Sequence, residues 1–353
     1  MIKPRSGLLV VRHAVTCSLL ISLIACKSDT SIVYSDLDNA AKIAQLTYGG
    51  DIQVIALGSC NRTSEPQEYW KTIALQDPNL WIWLGDIIYG DSENPEVLKR
   101  KYDRQLASSD YQEFASDVPI IGIWDDHDYG VNNGGKEYKI KDDSRDLLFD
   151  FLDVADNYKA KQGAYQSYTF GRKPQIKIIL LDARYFRDLV RYRDRKTVPS
   201  KLGTILGKKQ WKWLETELED SKADIHLIAS GIQFLPEEHP YEKWANFPKE
   251  REKLLDLLAE HDVSHPILLS GDRHLAEISR VLHKGQSIIE LTSSGLTHSY
   301  SGYEYEPNSH RIGPVMSEKN FGVIRADAKE GLISLEIWDI SGKLFHKIQV
   351  PLD

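Results

Sequence analysis

Four short apolar runs in this chain end alike, in turns dense with glycine and with side chains that carry protons or bind metals. Residues 53–57 lead into Gly58-Ser59-Cys60-Asn61 and residues 80–84 into Gly85-Asp86-Ile87-Ile88-Tyr89. Residues 119–124 lead into Asp125-Asp126-His127-Asp128-Tyr129-Gly130, and residues 267–269 into Ser270-Gly271-Asp272-Arg273-His274. Runs this apolar leave no face for water, so they read as strands of a sheet covered on both sides. Open α/β sheets collect their ligands at the carboxyl ends of such strands. One pattern thus constrains both the fold and the place of a site within it.

Further runs at 176–181, 225–229 and 287–291 extend the strands, and amphipathic stretches at 96–106, 143–154, 208–218 and 249–260 supply covering helices. Trp211, Leu214 and Leu218 share one helical face, and Pro248 stands where a first-turn proline belongs. The end of the chain changes character. Runs at 321–325, 332–338 and 344–350 are separated by Lys329-Glu330-Gly331 and Ser341-Gly342-Lys343, turns suited to antiparallel hairpins. The expectation is one α/β domain with two sheets, each partly covered by helices.

With 41% hydrophobic and 27% charged residues, the chain is neither disordered nor fibrous. A net charge of -8 without a basic stripe excludes nucleic acid as a structural partner. Missing His-Glu-x-x-His, Gly-x-Ser-x-Gly and phosphate-loop patterns argue against zincins, serine hydrolases and P-loop enzymes.

Lys3, Arg5 and Arg12 precede an uncharged stretch over 14–25, the layout of a signal peptide. As a helix those residues reach about 18 Å, short of a hydrocarbon core of about 30 Å. Leu23-Ile24-Ala25-Cys26 resembles the lipobox of bacterial lipoproteins. Residues 1–25 are therefore expected to be cleaved, Cys26 lipidated, 26–50 a polar tether and 51–353 the folded domain. The expected address is the bacterial cell envelope, outside the cytoplasm and lipid-anchored, and the expected state is a monomer. Cys17, Cys26 and Cys60 are too few for a disulfide scaffold, and Cys60 has no partner once the other two are assigned.

A Gly-Asp pair after a strand is ordinarily just a turn. Four such ends together are different, because buried carboxylates are costly unless paired or bound to a cation. Asp86, Asp126, Asp272 and His274 suit divalent ions; a thiolate at Cys60 with a phenolate nearby favours ferric iron, and carboxylate and amide oxygens suit calcium. The donor set reads as heterometallic.

In order and spacing these motifs, with Asn132-Asn133, Gly231-Ile232-Gln233 and 244–251, resemble the alkaline phosphatase D (PhoD-like) family of metallophosphoesterases. The resemblance implies a four-layer α/β/β/α sandwich metallophosphatase fold and hydrolysis of phosphomonoesters or phosphodiesters. It implies Fe3+ with Ca2+, the alternatives being Mn2+ or Zn2+. Carried over by motif, Cys60 and Tyr89 would bind iron and Asp86 would bridge the metals. Asp126, Asn132, Asp272 and His274 would complete the shells, with Asn133 as alternative to Asn132 and Tyr102 as competitor of Tyr89. His127 would contact phosphate or the leaving group, or else orient Asp126; Arg273 would pair with phosphate or with a neighbouring carboxylate. The additional sandwich domain of many members is not expected before the first motif, where residues 26–51 alone are available. His239 is expected at the surface, and Arg184, Arg187, Arg191, Arg193 and Arg195 either line the approach or form a solvated loop face. Two rivals stand beside this reading: a non-catalytic metal-binding lipoprotein, and a Mn/Zn calcineurin-like phosphodiesterase. The second would carry Asp-x-His where this chain has Ser59-Cys60-Asn61.

Overall fold

Along a strand, successive side chains face opposite ways, and in this protein both ways are buried. Ile178, Leu227, Ile267 and Leu291 belong to one apolar cluster, whereas their neighbours Ile179, Ile228 and Leu268 belong to a second. A sheet with two dry faces needs cover on each. The computed structural model describes residues 38–219 and 221–352, so the signal segment, the lipobox and Cys26 lie outside the described residues.

In chain order the strands are β1 (Val54–Gly58), β2 (Leu80–Leu84), β3 (Ile120–Ile123), β4 (Gln166–Phe170), β5 (Ile176–Leu180), β6 (Arg191–Arg193), β7 (Lys196–Val198), β8 (Ile225–Ser230), β9 (Pro266–Ser270), β10 (Ala276–His283), β11 (Gln286–Ser293), β12 (Asn320–Asp327), β13 (Leu332–Asp339) and β14 (Leu344–Pro351). The helices are α1 (Asn39–Gly49), α2 (Tyr69–Ala74), α3 (Pro95–Leu106), α4 (Ser109–Asp117), α5 (Asp126–Tyr129), α6 (Lys141–Phe151), α7 (Asp156–Lys159), α8 (Gly207–Glu219) and α9 (Pro248–Glu260). One sheet runs β14-β13-β12-β1-β2-β3 and the other β10-β11-β9-β8-β5-β4. Strands β1, β2 and β3 are mutually parallel, as are β5, β8, β9 and β11. The closing meander pairs antiparallel throughout, with Gly331 and Gly342 in its turns.

The sheets pack face to face. A Cβ on Gly322 of β12 would lie 2.8 Å from Leu57 of β1 and 3.3 Å from Leu291 of β11, so glycine permits the close approach. On the outer face of the first sheet, Trp81 and Trp83 of β2 pack edge-on against Trp70 of α2, with centroids 5.0 and 5.4 Å apart. On the outer face of the second, Trp211, Leu214 and Leu218 of α8 and Leu254 and Leu258 of α9 cover Ile228 and Leu268. Helices, sheet, sheet and helices form the expected α/β/β/α sandwich.

Two departures from the sequence reading concern edges. Strands β4 and β10 flank the second sheet, and their mixed sequences lack the apolar run that marks a central strand. The tether expected over 26–50 is folded in its last part. Residues Asn39–Gly49 form α1, and the buried Asn39 amide donates to Ile120 O (2.7 Å) and Leu152 O (2.8 Å) while accepting from Ile120 N (2.8 Å). That side chain satisfies β3 backbone groups at the sheet edge, and Ile43 and Leu46 pack on the core behind it.

Candidate metal centre

The carboxyl ends of the parallel strands of both sheets converge on one acidic pocket. Four of its residues, Cys60 (φ 62°), Asp86 (50°), Asp272 (66°) and His274 (54°), adopt the left-handed conformation. Non-glycine residues held there cost about 1–3 kcal/mol each and concentrate at functional sites. Gly85 (φ 91°) is required beside them, because a Cβ there would lie 2.4 Å from the Asp125 Cβ.

Cys60 is fully buried, its Sγ 3.4 Å from Asp86 Oδ2 and 3.0 Å from Ser294 Oγ. The Tyr89 hydroxyl lies 3.4 Å from the same Asp86 oxygen and 3.0 Å from His298 Nε2. Tyr102, its competitor, packs instead in the core from α3, 4.9 Å from the Phe151 ring. Ligand atoms of Asp86, Asp126 and His127 lie within 4.8 Å of one another, as do those of Asp125, Asp126 and Asp272. Asp126 belongs to both groups.

Asp86 Oδ1, Asp125 Oδ2, Asp126 Oδ1 and His274 Nδ1 are buried without a hydrogen-bond partner. Unpartnered buried carboxylate oxygens are costly and rare in folded proteins. The three carboxylates each belong to one or both of the close ligand-atom groups, so the set fits cations.

Protonation follows the same logic. Burial pushes the Cys60 thiol up to about 11. Burial, then Cys60 and Asp126, hold the Asp86 carboxyl well above the usual range, and burial with Asp126 lifts Asp272 to about 6. Asp126 goes the other way: burial opposes ionisation, but Arg184, His127 and the Asn133 N–H (2.7 Å) outweigh it. His127 is raised to about 10; burial lowers it, but Asp91 at 2.6 Å and the charges of Asp86 and Asp126 prevail. Burial lowers His274 to about 4 and His298 to about 3, which keeps both rings neutral, as metal ligation requires. A bound cation would draw the carboxyl and thiol values down.

Several predicted residues lie elsewhere than expected. Asn132 is exposed, and the bond from its loop into the cluster comes from the backbone N–H of Asn133. Arg273 takes the second of its two expected roles: it is buried and pairs with a carboxylate, Glu306, at 2.6 Å. His239 is buried rather than at the surface, its Nε2 without a partner. The arginine cluster divides: Arg191, Arg193 and Arg195 are exposed, but Arg184 and Arg187 are fully buried. Arg184 pairs with Asp125 (2.6 Å) and Glu242 (2.6 Å), while Arg187 pairs with Glu242 and donates to Asn133 O and Gly134 O at 2.6 Å.

His298, Ser294 and Asp125 were missed by the sequence reading. The first two follow β11 in Ser293-Ser294-Gly295-Leu296-Thr297-His298, where the rule of polar strand ends applies equally. For Asp125 no signal separates it from Asp126 in sequence. The exposed Arg62, next but one after Cys60, also joins the site, its guanidinium 5.3 Å from the Tyr89 ring centre.

Two packed mixed sheets between helices, with carboxylates, imidazoles and a thiol gathered at parallel strand ends, define a fold of the metallophosphoesterase type. The family model described as PhoD-like phosphatase matches residues 55–337, and the chain belongs to that family. It is 23% identical over 327 residues to alkaline phosphatase D of Bacillus subtilis (strain 168), covering 77% of this chain and 54% of that protein. The chain thus spans about half the length of that curated relative. Among solved structures it is similar to one titled Structure of PhoD, with a TM-score of 0.71 at 16% identity, covering 86% of this chain and 69% of that one. A dimetal phosphatase from Danio rerio matches with a TM-score of 0.54 at 14% identity, over 86% of this chain and all of that one. So does GAP50, titled the anchor in the inner membrane complex of Plasmodium, with a TM-score of 0.58 at 13% identity, over 85% of this chain and 89% of that one. Likenesses at these identities speak for the fold alone.

Proposed function

We propose that this protein is a metal-dependent hydrolase of phosphate esters, of monoesters, diesters or both, carried at the bacterial cell envelope by a lipid on Cys26. The observation that carries the reading is the set of buried, unpartnered oxygens on Asp86, Asp125 and Asp126, in a member of a phosphatase family. Cys60, Tyr89 and Asp86 would hold ferric iron. Asp86 would bridge to calcium, which suits the carboxylates, and Asp126, Asp272 and His274 would complete the two shells, with Asp125 or His298 able to join them; Mn2+ or Zn2+ are the alternative ions. Bound there, the cations would supply Lewis acidity and a water of lowered pKa.

The chain's own groups do the rest. His127, held by Asp91 at 2.6 Å, stands beside Asp86 and Asp126. As water oxygen bonds to phosphorus and the ester P–O bond breaks, His127 is the group to give the departing alcohol its proton. Arg62 is exposed and makes no ion pair among the described residues, so it is free to bind a phosphate oxygen, a task Arg273 cannot perform while held by Glu306.

The test is hydrolysis of a chromogenic aryl phosphomonoester and diester by folded, metal-loaded protein, with and without chelator. Chelator-sensitive turnover of either ester is expected, and inactivity on both refutes the proposal. For the anchor, Cys26→Ser should move the protein from the membrane fraction to the soluble one; an unchanged distribution refutes lipidation there.

A further inference from the structure

On one side the carboxylate cluster opens onto rings. His274 packs against Tyr300 with centroids 4.5 Å apart, Tyr300 against Tyr303 at 6.0 Å, and Tyr303 against Tyr241 at 5.9 Å. Tyr300 and Tyr241 are 43% and 41% exposed. Single exposed aromatics are commonplace, but here they form a wall continuous with an imidazole of the cluster.

The wall is also stiff. The guanidinium of Arg273 lies 4.5 Å from the Tyr241 ring centre and 5.1 Å from that of Tyr303, close enough for cation–π attraction to both. Glu306 fixes that guanidinium at 2.6 Å, and the Tyr303 hydroxyl donates to the Tyr241 hydroxyl at 3.3 Å. Arg273 is itself buried, so its charge serves the rings rather than an incoming phosphate. Rings ordered in advance lose little freedom when a ligand stacks on them. Nothing in the phosphoryl chemistry needs three tyrosines there, and the metal donors are already supplied.

We infer that Tyr300 offers the stacking face of a leaving-group subsite for a flat aromatic ring, with Tyr303, perpendicular to it at 89°, and Tyr241, at 60° to Tyr303, as flanks, so that nucleotides are the preferred class of phosphate ester. The inference rests on the proposed hydrolase reading for its catalytic sense, but the subsite is a binding surface and is testable as one. A nucleobase offers a π-face to tyrosine whatever its sequence of polar edge groups, and such stacking is sequence-tolerant and strong.

The experiment compares adenosine 5′-monophosphate with ribose 5-phosphate, which carries a hydroxyl at C1′ where the nucleotide carries adenine. Calorimetric titration of each into the metal-loaded, full-length protein reads binding, and kcat/KM for each reads turnover. Wild-type protein should prefer the nucleotide by about tenfold or more in affinity. Tyr300→Leu should erase most of that preference, Tyr241→Leu should reduce it, and Tyr300→Phe, which keeps the ring, should retain it. Equal affinity for the two ligands overturns the subsite, as does a preference unmoved by both leucine variants. Protein that turns over neither ester nor the chromogenic substrates removes the catalytic reading, while the titrations, needing no turnover, still decide the subsite.

Discussion

Arg184 sits fully buried between Asp125 and Glu242, and its charge explains why so acidic a pocket tolerates its own fold. Removing one partner of such a pair strands the other. From sequence the residue was one arginine among five between 184 and 195, and density of charge does not say which members fold under. Cys60, Asp86 and Tyr89 were legible for the opposite reason, since strand-end turns fix where short side chains point. Glu290 was not legible at all. It lies buried in β11, accepting from Ser270 Oγ (2.6 Å) and from the N–H groups of Phe234 (2.9 Å) and Leu235 (2.7 Å). Burial nonetheless lifts its carboxyl from 4.5 to about 7. A group that holds its proton more tightly when folded contributes stability below its unfolded pKa and loses it as pH rises through the folded one. Wild-type stability relative to Glu290→Gln should therefore fall between about pH 4.5 and 7, by about 3 kcal/mol. Urea unfolding of both proteins across that range checks this; a pH-independent difference contradicts it.

At the scale of elements, the central strands and the helices α3, α6, α8 and α9 were readable because periodicity reports burial directly. Edge strands β4 and β10 were not, since half-wet strands interleave polar residues and lose the run. Helix α1 was hidden by a polar composition that suits a tether as well as a helix. Its anchor is a single side chain with three bonds to backbone, two of them on the β3 residue Ile120. Losing a buried partner leaves each abandoned group to bear its desolvation, about 1–3 kcal/mol apiece. With three groups abandoned, Asn39→Ala should lower the unfolding free energy by about 3 kcal/mol or more, measured by chemical denaturation. A change below 0.5 kcal/mol, about the level of a surface substitution, would show that α1 is not docked through Asn39.

For the molecule as a whole, the proposed donors come from both sheets. Cys60, Asp86, Tyr89 and Asp126 follow strands of the first, Asp272, His274 and His298 strands of the second. No half of the sandwich owns the centre, so it exists only once the two sheets are packed. A cation that binds this arrangement and not the unfolded chain stabilises the fold by mass action. Thermal unfolding should shift upward on loading with iron and calcium and return on chelation. Cys60→Ser should forfeit part of that shift together with any visible thiolate-to-iron absorption. An unchanged iron content and spectrum in the variant would remove Cys60 from the ligand set.

The docking of α1 has a consequence for solubility. Sheet edges are templates for pairing with other chains, and the first sheet ends at β3, where Asn39 occupies both backbone groups of Ile120. A polypeptide started at residue 51, just ahead of the first motif, would bare that rim together with the apolar surface under Ile43 and Leu46. It would lose no donor of the metal centre and still be prone to join its copies edge to edge.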